Sequence, residues 1–108
     1  MKIAIPVNGQ KKGDLVAPHF GRAENLMVYD DQKKTYKFYE NPEAAGKEKY
    51  PPDFLHEKGV TAVICFGLGE KAIKKFNNYG VKLYHAKQGS LHHNLEELKK
   101  GNLDKLYS

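Results

Sequence analysis

Two short stretches carry side chains whose types and spacing could do chemistry. The first, Pro18-His19-Phe20-Gly21-Arg22-Ala23, crowds an imidazole, an aromatic ring, a glycine and a guanidinium into one turn. His19 can coordinate a soft or borderline metal, Arg22 can fork onto oxygens or sulfides of an anion, and Gly21 can adopt positive φ. The same residues can also serve structure alone, with Phe20 plugging a core, His19 bonding a carbonyl and Arg22 pairing with Glu24 or Asp30. The second stretch is Cys65-Phe66-Gly67-Leu68-Gly69. Its glycines let a backbone come close to a ligand, or else only tighten a turn. Cys65 is a candidate metal ligand if its sulfur faces the loop, where a helix N-terminus would favour the thiolate. It is a small hydrophobe if it faces the core. Side-chain direction decides between these.

The elements around these stretches say where they must sit. Residues 61–66 form an apolar, β-branched run of the kind buried on both faces of a parallel sheet. Ala72, Ile73, Phe76 and Tyr79 then recur at helical spacing until Gly80, and residues 81–84 are apolar again. Strand, helix and strand within about thirty residues imply a right-handed βαβ unit. Gly67 and Gly69 therefore lie outside the carboxyl end of a strand, where ligands collect, and the N–H groups of the following helix's first turn favour an anion. The full dinucleotide fingerprint is absent: Ala72 stands three residues after Gly69, no acidic residue closes the next strand, and the unit does not open the chain. No nicotinamide cofactor is expected on that ground.

Elsewhere, residues 2–7 read as a central strand and 8–17 as an exposed loop. Residues 26–29 and 35–40 read as a hairpin joined by a polar turn, its second strand an edge strand guarded by Lys37. Asn41-Pro42 ends it, and 43–50 is polar. Pro51-Pro52 start a short helix that stops at Gly59. Ser90 caps a last helix striped by Leu91, Leu95 and Leu98 and ended by Gly101. His92 and His93 fall in its first turn, where the helix dipole favours neutral imidazoles that could accept a metal, but adjacent helical residues face different directions, which favours a solvated pair over a metal site. Residues 102–108 show no site.

At 108 residues the chain is one domain, 1–108, large enough to bury about two thirds of its unfolded surface. One cysteine excludes an internal disulfide, and no run resembles a signal peptide or membrane span, so a cytoplasmic setting is expected. The formal charge of +5 comes from dispersed lysines. It biases the chain toward anionic partners, a nucleic acid or an anionic metal cluster. No enzyme is expected. Asp30, Asp31 and Glu40 fall at turns and strand ends and Asp53 in a helix, not in the convergent set a two-metal nuclease needs, and no pattern fixes a Cys-His pair. Tyr29, Tyr36, Phe38 and Tyr39 alternate between faces and so make no stacking platform for nucleic acid.

In combination, MKIAIPV at the start, PHFGRA after the first loop, the YENP that closes the hairpin, EKGVTAVICFGLGEKA with NNYGVKLY, and the glycine-led final helix from Gly89 carry a resemblance. The chain resembles the dinitrogenase iron-molybdenum cofactor biosynthesis family, the nitrogenase accessory factor-like proteins, over nearly its whole length. The resemblance implies a three-layer α/β/α fold with a ribonuclease-H-like motif, its five-stranded mixed sheet having the second strand antiparallel to the others. It implies a binding or carrier protein for an iron-molybdenum or other metal-sulfur cluster, held noncovalently. His19, Gly21, Arg22, Gly67 and Gly69 would line the pocket, with Cys65 next to it and His19 and Cys65 as the metal ligands. Partners would be the anionic cluster and a cofactor-assembly or acceptor protein, and the chain a monomer or a weak homodimer. The alternative is a small α/β interaction module for nucleic acid or protein with no metal role. Unlike many relatives, the chain has Gly46-Lys47-Glu48-Lys49-Tyr50-Pro51-Pro52 where a glycine- and histidine-rich segment is common, and His92-His93 where the last helix usually starts with acids.

Overall fold

Alternation in the first strand sets the layering. In Lys2–Val7 (β1), Ile3, Ile5 and Val7 project to one side and Ala4 to the other, and all four are buried. A strand apolar on both faces needs cover on both. The structure is a computed structural model that describes residues 1–106. Tyr107 and Ser108, the end of the expected 1–108 domain and of the 102–108 tail, lie outside the described residues.

β1 pairs antiparallel with Asn25–Asp30 (β2), which pairs antiparallel with Thr35–Glu40 (β3). On its other side β1 pairs parallel with Ala62–Cys65 (β4), which pairs parallel with Lys82–His85 (β5). The sheet order is β3-β2-β1-β4-β5. Five strands with only the second antiparallel to the rest agree with the ribonuclease-H-like expectation, and β3 is at an edge as its Lys37 suggests. The chain moves outward from β1 in one direction and returns to move outward from β4 in the other, so the β1/β4 junction is the switch point of the sheet.

Helices Pro51–Glu57 (α1) and Glu70–Asn78 (α2) cover the Ala4 side, where Leu26, Val63, Leu55 and Phe76 make the core. Helix Leu91–Lys99 (α3) covers the Ile3 and Ile5 side through Leu91 and Leu95. Local signals place the ends. Gly59, Gly80 and Gly101 take φ of 82°, 73° and 74° just past the three helices, a region that disfavours a Cβ. Ser90 Oγ accepts the His93 N–H at 3.0 Å as the cap of α3.

The tail does more than its sequence announces. His85 N–H donates to Asp104 O at 2.8 Å and Leu106 N–H to Leu83 O at 2.9 Å, so 104–106 line the β5 edge while Leu103 enters the α3-side core. Main-chain pairing of so short a segment leaves no periodic signature. Among the described residues no helix is long and apolar enough to cross a membrane.

Candidate functional site

The PHFGRA turn is placed by the end of β1. After an exposed loop the chain returns, Ala17 N–H donating to Pro6 O at 2.8 Å. Phe20 then drops into the core edge-to-face on Phe76, ring centroids 6.1 Å apart. Residues Phe20–Arg22 make one 3₁₀ turn, with the Arg22 and Ala23 N–H groups both on His19 O. A fully buried amide pins it: Asn41 Nδ2 donates to Phe20 O at 2.9 Å, and Asn41 Oδ1 accepts the Glu43 N–H at 3.2 Å. With Phe20 anchored inward, its neighbours His19 and Arg22 are left exposed.

The opposite wall is the β4–α2 loop. Gly69 caps α2 in extended conformation, φ −71° and ψ 159°, and offers no side chain to cap the first-turn N–H groups. Neither Gly67 nor Gly69 has positive φ, and a Cβ on either would meet nothing within 4 Å. The turn itself does not require glycine here; what the glycines do is leave the backbone bare. Gly21 differs from expectation as well. Its φ is not positive, and the space a side chain would take is filled by the Glu43 carboxylate.

Between these walls lies an open cleft of about 480 Å³ beside the β1/β4 switch point. It brings together His19, Gly21, Arg22, Gly67 and Gly69 from the two sequence stretches, and adds Glu43, Tyr50 and Lys71, which sequence reasoning missed. Lys71 Nζ stands 5.2 Å from the Tyr50 ring centroid. The Tyr50 hydroxyl is pushed to higher pKa by burial, then by the charges of Glu43 and Asp53. Among the described residues, the side chains of His19 and Arg22 make no hydrogen bond or ion pair. The pairing of Arg22 with Glu24 or Asp30 is not made. Asp30 Oδ1 instead accepts the Gln32 and Lys33 N–H groups at 3.0 and 3.2 Å, and these bonds hold its carboxyl below the usual range.

Cys65 does not join the cleft. Its side chain is wholly buried in the α1/α2-side core with Phe20 and Phe76, and it is not among the cleft-lining residues. Burial pushes the thiol up to about 12, only partly opposed by a hydrogen bond from the Gly67 backbone. Of the two alternatives for this residue the structure takes the small hydrophobe, with its sulfur in the core and away from the cleft lining. His92 and His93 are exposed on α3, across the sheet; His92 lies 3.9 Å from Glu96 and 3.5 Å from the Tyr36 hydroxyl. Among the described residues no three His, Cys, Asp or Glu side chains are grouped to hold a metal ion.

Of the residues whose role was missed, Asn41 had a signal, since it stands inside the YENP that closes the hairpin, but there it reads equally as the end of a strand. Glu43 and Tyr50 sit in a polar segment without periodicity, and Lys71 is one lysine among many.

The family model for the dinitrogenase iron-molybdenum cofactor matches residues 1–101. This chain belongs to that family. Within its reach, an uncharacterized protein of Methanocaldococcus jannaschii is 28% identical over 111 residues, covering 97% of this chain and 91% of the relative. An NMR structure of a Thermotoga protein provisionally named a NifB protein superposes with a TM-score of 0.86 at 28% identity, covering 99% and 94% of the two chains. The apo orange protein of Desulfovibrio gigas has a TM-score of 0.89 at 19% identity over 99% and 93%, a likeness of fold. The family relationship thus spans the sheet, the PHFGRA turn and the β4–α2 loop together.

Proposed function

We propose that this member of the dinitrogenase iron-molybdenum cofactor family binds and carries an anionic metal-sulfur cluster, of iron-molybdenum or related type, for cofactor assembly or storage in the cytoplasm. One observation carries the reading: a guanidinium and an imidazole without partners among the described residues line one open cleft with a helix N-terminus capped only by glycine. Arg22 and the first-turn N–H groups of α2 neutralise the ligand's charge, Gly67 and Gly69 let it reach the backbone, and His19 offers a nitrogen to a metal of the cluster. The cargo is held as a whole anion by charge and shape. No catalytic role is assigned, because the cleft offers no nucleophile paired with a base. A cofactor-assembly or acceptor protein would take the cluster onward.

The nucleic-acid alternative gains nothing from the aromatic residues, since Tyr29 packs on Tyr36 with centroids 4.8 Å apart and Tyr39 on Phe54 at 5.6 Å. The test is anaerobic purification, then elemental analysis and visible absorption before and after adding tetrathiomolybdate with iron or copper. Stoichiometric uptake that His19→Ala abolishes and Arg22→Ala weakens is the expected result. No uptake by the wild-type chain under any of these conditions overturns the proposal.

A further inference from the structure

Glu43 is the cleft residue whose charge opposes an anion. Its Oε2 lies against Gly21, in the place a side chain there would occupy, so the carboxylate stands on the cleft wall beside Arg22 because residue 21 has no Cβ. Its backbone is held by the same buried Asn41 amide that pins the PHFGRA turn, which ties the carboxylate to the wall that presents His19 and Arg22. Yet among the described residues it forms no ion pair with Arg22, Lys71 or any other cation. Its field reaches across the cleft, where it is the second cause, after burial, of the raised Tyr50 pKa.

An arginine, a lysine and a helix N-terminus would by themselves suit inorganic phosphate or sulfate. An uncompensated carboxylate among them repels a small anion of concentrated oxygen charge more strongly than a larger one whose charge is spread over several sulfides. We infer that Glu43 is the selectivity residue of the cleft: it turns away simple tetrahedral oxyanions and admits larger anions whose charge is spread over sulfides. This rests on the cleft being the anion site proposed above. Carboxylate charge and arginine charge thus act on different ligand classes, Arg22 raising affinity for all anions and Glu43 sorting among them.

The experiment is a titration of the Gly67, Gly69 and Lys71 amide resonances with inorganic phosphate, and in parallel with tetrathiomolybdate plus copper. It compares wild type, Glu43→Gln, Arg22→Ala and, as a control outside the cleft, Glu40→Gln. Removing one charge a few ångströms from a multivalent anion at a hydrated surface should tighten phosphate by about tenfold. That gain in Glu43→Gln, without tighter thiomolybdate-copper binding and without the same gain in Glu40→Gln, is the expected result. Phosphate bound no tighter by Glu43→Gln than by wild type, or an equal gain in Glu40→Gln, overturns the inference. The cluster reading fails separately: a wild-type chain that ignores thiomolybdate-copper, while Glu43→Gln still gains phosphate, leaves Glu43 as an oxyanion filter and removes the cluster as its reason.

Discussion

The cleft and the α1–α2 seam are built from similar residues and use them in opposite ways. On the seam, Asp53 accepts hydrogen bonds from the Tyr79 hydroxyl and from Lys75 Nζ, the latter at 3.0 Å, and His56 stacks on Tyr79 at 3.8 Å. Tyr79, then Lys75, hold the Asp53 carboxyl below its ordinary range, and Asp53 in turn raises Lys75 and Tyr79. Lys49 and Glu57 pair alongside. In the cleft, His19, Arg22 and Glu43 have no such partners among the described residues. Paired groups have already spent their charge on one another and hold two helices together. Unpaired groups around a cleft keep theirs for a ligand, and because they face water they destabilise the fold little.

The largest effect expected is at the boundary between the cleft and the core. The unfolded chain releases the Cys65 proton near the ordinary 9.0, whereas the native chain holds it to about 12. Between those values the native state binds more protons, so stability falls as pH rises, by about 1.4 kcal/mol per pH unit. Urea unfolding at a series of alkaline pH values should show this contribution on top of that of the raised tyrosines and Lys75, and Cys65→Ala should make the slope shallower; a slope unchanged in the variant would mean the thiol is not in the core.

Next comes Asn41→Ala, which strands the buried Phe20 carbonyl and releases both the PHFGRA turn and Glu43. It should cost about 2–3 kcal/mol by denaturant unfolding and weaken cluster uptake as well, so that fold stability and cleft binding fall together. Arg22→Ala should separate them, with anion affinity down by about tenfold or more and stability within about 0.5 kcal/mol of wild type. A large loss of melting temperature in that variant would erase the contrast. Asp53→Asn is the mirror case and the smallest effect: a slightly lower melting temperature and cleft binding as in wild type. The contribution of the Asp53 carboxylate is present above its unfolded value of 3.8 and lost as pH falls through its depressed native value, so acid should narrow the gap between variant and wild type.

Legibility in the sequence followed the range of the signal. β1, β4 and α2 were readable because alternation and helical spacing are local, and Gly59, Gly80 and Gly101 marked helix ends through a backbone preference that belongs to the residue itself. The pairing of 104–106 with β5 was not readable, since main-chain hydrogen bonds put no pattern on side chains. Glu43 was invisible for a related reason. Nothing in a polar segment tells which carboxylate folds back against a glycine more than a turn and a strand away.

The sequence by itself determined the five strands and three helices, the antiparallel second strand by way of family resemblance, and the residues from which a site could be made. Only the tertiary structure decided that Cys65 turns inward while Arg22 has no partner among the described residues, that Gly67 and Gly69 are bare rather than strained, and that a carboxylate shares the cleft. Periodicity is written within one element, where neighbouring residues impose it; side-chain direction and charge pairing are settled between elements, when β1, β4 and α2 close on one another and bury what the core will hold.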